Sequence, residues 1–171
     1  MTKQEIEQIL VPGVYKGTGM YEPTKKFPNG IVTTNKLKIE NDKRFHLKIT
    51  NEIRAYDQKT KKKLYQGKRK TILYEDSNDV SKYVYESKSY INNNIVSSQY
   101  GNISSMNTES KTLTIKFLYS YWFITNVVYN NSYLKISRDP QVEKLTMVFK
   151  HAENKKGEKP KIKFKEEYFQ Q

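Results

Sequence analysis

A chain of 171 residues with 31 lysines and arginines against 18 acidic residues carries a formal charge of +13. It is long enough to bury one sizeable core, and its complete lack of cysteine excludes disulfides, thiol catalysis and thiolate metal sites together. Only Arg44, Arg54, Arg69 and Arg138 are arginines, so the charge sits mostly on hydrated point cations rather than on the planar forks that read base edges. The opening residues lack a basic segment followed by an apolar block, so no secretory leader is expected and the cytoplasm is the default compartment. No apolar stretch is long enough to cross a bilayer as a helix.

Residues 2–10 read as one short helix. Thr2 and Glu5 have capping-box spacing, Ile6, Ile9 and Leu10 share a face, and Pro12-Gly13 stops the turn. A helix this short must dock on something, and the end of a barrel is the obvious place. A first strand follows over 13–21, with Gly17 and Gly19 on one face, where another backbone approaches closely or the sheet bends. The loop 22–30 carries Pro23, Pro28 and Asn29-Gly30, which is turn chemistry.

Strand two is expected over 31–40 and strand three over 43–56. The latter alternates most cleanly: Phe45, Leu47, Ile49, Ile53 and Ala55 share a face broken only by Asn51. A lysine-rich turn leads to strand four (64–75), and Asp76-Ser77-Asn78-Asp79 turns into strand five (80–89). Strand six, around 91–100, is weak, and 101–110 reads as a polar loop. The run 113–129 is the longest apolar and aromatic stretch, holds the lone Trp122, and is expected to be the central feature, bent near Ser120. Two further strands, 132–137 and 143–151, complete nine or ten. The fold class is therefore all-β, an antiparallel meander barrel of about 8–10 strands with a short N-terminal helix. Residues 1–152 form one barrel domain. Residues 153–171 form a Lys/Glu-rich tail that reads equally as an extra strand or as a disordered segment, with Ile162, Phe164 and Tyr168-Phe169 its apolar positions.

The order helix, Gly-x-aromatic, meander resembles the calycin superfamily of lipocalins and fatty-acid-binding proteins. The longer run Gly13-x-Tyr15-x-Gly17-x-Gly19-x-Tyr21-x-Pro23 is similar to the opening of nitrobindin-type haem barrels, with Tyr15 where calycins carry tryptophan. The resemblance implies a barrel plugged at one end by the Tyr15 ring beneath a basic side chain from a late strand, Lys150 first and Arg138 second. It also implies a C-terminal histidine as haem ligand, a position only His151 could fill; nothing around His151 supports that, and no cofactor is expected.

Catalysis needs convergent titratable groups, and none is evident. His46 alternates out of phase with Phe45 and Leu47 and is expected outside the barrel, unless the faces are reversed and it lines a polar cavity with Lys48 and Arg54. Asp76 and Asp79 are turn formers, not a calcium loop. Two binding features remain. Tyr74, Tyr83, Tyr85, Tyr119, Tyr121, Trp122 and Phe123 could face an interior that holds a small apolar or amphipathic ligand, or could simply fill a core. Lys61, Lys62, Lys63, Lys68, Arg69 and Lys70 crowd one hairpin, and with the tail lysines they offer an anionic partner, nucleic acid or an acidic protein, a basic surface.

Overall fold

The computed structural model describes every residue except 80, 124–126, 130 and 152–160, with the side chains of 127 and 128 also left undescribed. Lys155, Lys156, Lys159 and the turn through Gly157 and Pro160 thus lie outside the described residues, as does the expected start of strand five at Val80.

One helix and eleven strands follow in order: α1 (Lys3–Glu7), β1 (Gly13–Tyr21), β2 (Ile31–Asn41), β3 (Leu47–Asp57), β4 (Lys63–Glu75), β5 (Tyr83–Ile91), β6 (Asn94–Asn107), β7 (Thr112–Trp122), β8 (Val127–Val128), β9 (Ser132–Asp139), β10 (Lys144–His151) and β11 (Lys161–Gln170). Ten of them form a single antiparallel ring, β6-β5-β4-β3-β2-β1-β11-β10-β9-β7, closed by the β6–β7 pairing, and the two-residue β8 hangs on the end of β7. Closure leaves no long unpaired edge.

The C-terminal stretch is part of that ring. β11 pairs with β1 on one side and β10 on the other, and its Phe164, Glu166 and Tyr168 are buried inside. Residues 101–107, expected in a loop, continue β6 instead. Their inward positions Gly101 and Ile103 are buried against β7, while the asparagines and serines face out. The aromatic run is one wall among ten rather than a centre, and β7 passes through Ser120 to Trp122.

The two ends of the barrel differ. At one end Thr2 and Glu5 form the capping box, the Thr2 hydroxyl accepting the Glu5 N–H at 3.2 Å and the Glu5 carboxylate accepting the Thr2 N–H at 3.1 Å. α1 is shorter than expected, but Ile6, Ile9 and Leu10 are buried and join the core with Leu37, Ile39, Leu47, Leu73 and Leu113. Tyr15 is wholly buried there. Its hydroxyl donates to the Val11 carbonyl at 2.5 Å and accepts from the Arg138 guanidinium at 3.1 Å, which also donates to Gln170. Arg138, not Lys150, is the basic partner. Tyr15 lies in register with Leu37 and Gln170 at the closed end, whereas Lys150 pairs with Tyr133 and Ile162 beyond a register slip toward the other end.

Candidate functional site

Period-two alternation decides what enters the barrel, and it carries polar residues in with the apolar ones. On β2, Ile31, Thr33, Asn35, Leu37 and Ile39 point inward; on β3, Leu47, Ile49, Asn51, Ile53 and Ala55 do. On β4 the same parity brings in Arg69 between Gly67 and Thr71, and on β11 it brings in Glu166 between Phe164 and Tyr168. These polar positions meet in a belt across the middle of the barrel.

The belt centres on a buried ion pair. Both Arg69 terminal nitrogens donate to the Glu166 carboxylate, Nη1 to Oε2 at 3.3 Å and Nη2 to Oε1. Oε2 also accepts the Tyr21 hydroxyl at 2.6 Å and the Asn35 amide at 3.4 Å. The Tyr168 oxygen accepts two amides, from Asn35 at 2.9 Å and Asn51 at 2.7 Å, and Thr33 donates to the Asn35 carbonyl oxygen at 2.6 Å. Gly19 makes room for this: a Cβ there would stand 2.5 Å from Thr33 Oγ1 and 3.2 Å from Glu166 Cγ. The one group left over is Asn51 Oδ1, buried with no hydrogen-bond partner among the described residues.

Burial would lower the pKa of Arg69, but the Glu166 charge, with Tyr21 and Tyr168, outweighs it and holds the guanidinium well above its usual value. Tyr21 and Tyr168 are pushed well above the ordinary phenol value by burial first and by the Glu166 charge second. Tyr65 is raised to about 12, for the same two reasons.

A pH dependence follows. A tyrosine whose folded pKa exceeds its unfolded value of about 10 holds a proton in the fold that the unfolded chain has lost, so stability present below pH ~10 is lost as pH climbs toward the folded pKa. An ultraviolet difference titration followed together with circular dichroism checks this. Tyr21 and Tyr168 should ionise only together with loss of the far-ultraviolet circular dichroism signal. One smooth titration of all tyrosines with the fold intact would contradict the belt.

Above the belt, at the end away from α1, the barrel opens into an aromatic chamber. A cavity of about 80 Å³ is lined by Tyr21, Ile31, Tyr65, Trp122, Phe149 and Phe164, with Phe27, Tyr129 and Lys163 also at its wall. A second of about 40 Å³ shares Tyr21, Tyr65 and Trp122 and reaches Arg69. Tyr21 stacks on Phe164 with centroids 4.7 Å apart, Phe164 stacks on Phe149 at 5.1 Å, and Trp122 meets Phe164 edge-on at 5.8 Å. The Tyr65 hydroxyl makes no hydrogen bond to another described residue.

The residues expected to line the interior divide sharply. Trp122 does so. Tyr83 and Tyr85 are buried, but toward the closed half, Tyr83 against His46 and Tyr85 against Phe117. Tyr74 faces out, its hydroxyl donating to Glu86 at 2.7 Å. Tyr119 and Phe123 are exposed, and Tyr121 packs against Phe123 at 4.3 Å. The reason is a β-bulge. β7 pairs Phe117 with Gly101 but Tyr119 with Tyr100, so Leu118 is an extra residue. Inward positions therefore change from Leu113, Ile115 and Phe117 to Ser120 and Trp122, and Tyr119 and Tyr121 are turned outward.

Among the basic hairpin residues, Lys61, Lys62, Lys63, Lys68 and Lys70 are exposed, whereas Arg69 is the belt cation. Of the opening motif, Gly13 begins β1 with a φ of 154°, and Gly17 and Gly19 face β11 and the belt. His46 is half-buried near Glu75, with Nε2 at 3.9 Å from the carboxylate, at the closed end rather than in a polar cavity with Lys48 and Arg54. Sequence reasoning missed Asn35, Glu166 and Phe149, and it read Tyr65 as a ring on the basic hairpin that could stack on bases, whereas Tyr65 lines the chamber.

No family model matches the chain, and no curated protein does. A solved structure does: the crystal structure of Rv2717c from M. tuberculosis superposes with a TM-score of 0.57 over 97% of each chain, at 10% sequence identity. The likeness is one of fold. It supports a ten-strand antiparallel barrel across the whole chain and carries no residue role with it.

A haem, which the nitrobindin resemblance would bring, does not fit these residues. The His151 ring stands edge-on to Tyr129 with centroids 4.9 Å apart. The chamber is also well short of the ~300–1,000 Å³ that drug-sized ligands occupy. Among the described residues no group of three or more His, Asp or Glu is placed to hold a metal ion, and no helix is long and apolar enough to cross a membrane.

Proposed function

We propose that this barrel binds a small amphipathic ring compound in the chamber between Trp122, Phe164 and Tyr65. One observation carries the reading: an aromatic-walled cavity opens directly above a polar belt and has an unpartnered phenol in its wall. Ring faces supply the apolar contact, and Tyr65 supplies a donor that a hydroxyl, carbonyl or ring nitrogen of the ligand can use. The cavity of about 80 Å³ favours one or two fused rings over a fatty acid or a macrocycle. Arg69 is already neutralised by Glu166, so a full negative charge on the ligand gains little from it.

Trp122 is the only tryptophan, so its fluorescence reports this chamber without background. Naphthol is expected to quench it saturably. Tyr65→Phe should raise the Kd between about twofold and tenfold, the worth of one hydrogen bond. Tyr74→Phe, on the outer face, should leave it unchanged. Quenching that rises linearly without saturation, or that Tyr65→Phe does not alter, would remove the proposal. The basic hairpin supports the anionic partner expected of it less well. Its arginine and its Tyr65 have been drawn into the interior, which leaves Lys61, Lys62 and Lys63 as exposed point charges.

A further inference from the structure

The outer face of the barrel carries a pattern that its interior does not explain. Strand register sets six residues in one line across six strands: Phe169 of β11 opposite Lys16, Lys16 opposite Lys36, Lys36 opposite Glu52, Glu52 opposite Lys68, and Lys68 opposite Tyr90 of β5. At about 4.8 Å per strand the line is about 24 Å long. It begins and ends on an aromatic ring, Phe169 being 46% exposed. A parallel line places Lys38, Thr50, Lys70 and Lys88 in register, and Lys70 lies 5.5 Å from the Tyr90 ring centre.

Two shallow depressions follow this line and adjoin at Glu52 and Gln66. One, of about 360 Å³, is lined by Lys16, Gly17, Lys36 and Arg54; the other, of about 510 Å³, by Gly67, Lys68, Lys70 and Tyr90. The two share Glu52 and Gln66 in their walls, so together they form one trough. Lys16, Lys36, Arg54, Lys68, Lys70 and Lys88 make no ion pair with any described residue. Like charges directly opposite on neighbouring strands destabilise a sheet, and here Lys16 faces Lys36 and Lys70 faces Lys88. A fold that keeps two such pairs on one face is suited to an anion that spans them.

From this we infer that the β11-β1-β2-β3-β4-β5 face binds single-stranded nucleic acid, with the backbone along the lysine trough and bases stacked on Tyr90 and Phe169. Single strands are held by this combination, a cationic groove that tracks phosphates and aromatic rings that accept any base. Among the residues that line the two depressions none is an exposed large apolar side chain, which distinguishes the trough from a membrane-binding surface. The smaller interior cavity reaches Gly67, Lys68 and Tyr90 from within, but the trough lies on the outer face and its assignment does not rest on the chamber's ligand.

Fluorescence anisotropy of a labelled oligothymidylate and a labelled oligouridylate, titrated with the full chain at several salt concentrations, tests this. Lys16→Gln/Lys36→Gln and Lys68→Gln/Lys70→Gln should each weaken binding at least about tenfold and reduce the salt slope by about 1.4. Tyr90→Ala should weaken it about tenfold with the slope unchanged. Lys61→Gln/Lys62→Gln/Lys63→Gln, off the trough, should leave Kd within about twofold. All substitutions are on the outer face, and circular dichroism of each variant checks that it folds. Absence of binding at low salt, equal loss in the hairpin variant, or preference for phosphatidylserine vesicles over the oligonucleotides would each overturn the assignment.

Discussion

Glu166→Ala is expected to cost about 3–5 kcal/mol of unfolding free energy, among the largest effects of any single change in this chain. Glu166 is fully buried and accepts from Arg69, Tyr21 and Asn35. Its removal leaves a guanidinium that cannot give up its proton, largely buried in the middle of a barrel and with no counter-charge. Arg69→Met should cost a comparable amount, because the carboxylate is then stranded instead. The double variant Arg69→Met/Glu166→Leu should be more stable than either single one, since a buried pair replaced by apolar side chains loses its desolvation penalty along with its attraction. It will not return fully to wild type, because Tyr21 and Asn35 still lose an acceptor, at about 1–3 kcal/mol for a buried donor left unmade. Urea unfolding of all four proteins closes the cycle. If the two single costs simply add in the double variant, the pair is not coupled and the belt does not act as one unit.

The belt also shows what could and could not be read from the chain. The alternation in β3 was plain, and its one break, Asn51, turned out to be a member of the polar network rather than a flaw. Glu166 was legible in principle, because Phe164, Glu166 and Tyr168 share one parity and two of the three are rings. Lys165 and Glu167 between them made the stretch look like solvated charge. Arg69 was hidden the same way, between Lys68 and Lys70, although Arg69, Thr71 and Leu73 share a parity that ends on a core leucine. Composition averages over both faces of a strand, whereas a barrel separates them, so charge runs mislead wherever one member of the run points in.

The aromatic run failed for a different reason. Strict alternation from Leu113 through Phe117 predicts Tyr119 and Tyr121 inside and Trp122 outside, the reverse of what the bulge at Leu118 produces. No residue in the run marks the bulge. It arises from pairing with β6, where Gly101 sits against the Lys116 carbonyl so closely that a Cβ would stand only 2.3 Å from it. Register between strands is a property of two segments, and neither segment shows it alone. The closed end was easier, since the Thr2–Glu5 capping box and the glycines of β1 signal through local rules that need no partner.

Those glycines give the second large effect. Gly17→Ala should cost about 3 kcal/mol, the upper end for overpacking, and Gly19→Ala only about 1 kcal/mol. Neither residue has a left-handed φ, so the cost is steric in both cases. At Gly17 the new Cβ would stand 2.1 Å from the Glu167 carbonyl oxygen and 2.6 Å from the Tyr168 ring. That carbonyl belongs to the β1–β11 ladder and cannot rotate aside, so the two strands must separate, and β11 carries Phe164, Glu166 and Tyr168 with it. At Gly19 the nearest atoms belong to side chains. Thr33 Oγ1, at 2.5 Å, can turn away at the cost of its bond to Asn35, and the next contacts are at 3.2 and 3.3 Å. Urea midpoints of the two variants, measured with unchanged m values, decide the point. A Gly19→Ala protein as unstable as Gly17→Ala would mean that the belt side chains are held as rigidly as the backbone. The reverse ranking would mean that β11 is free to shift against β1, and that the barrel is not sealed at this seam.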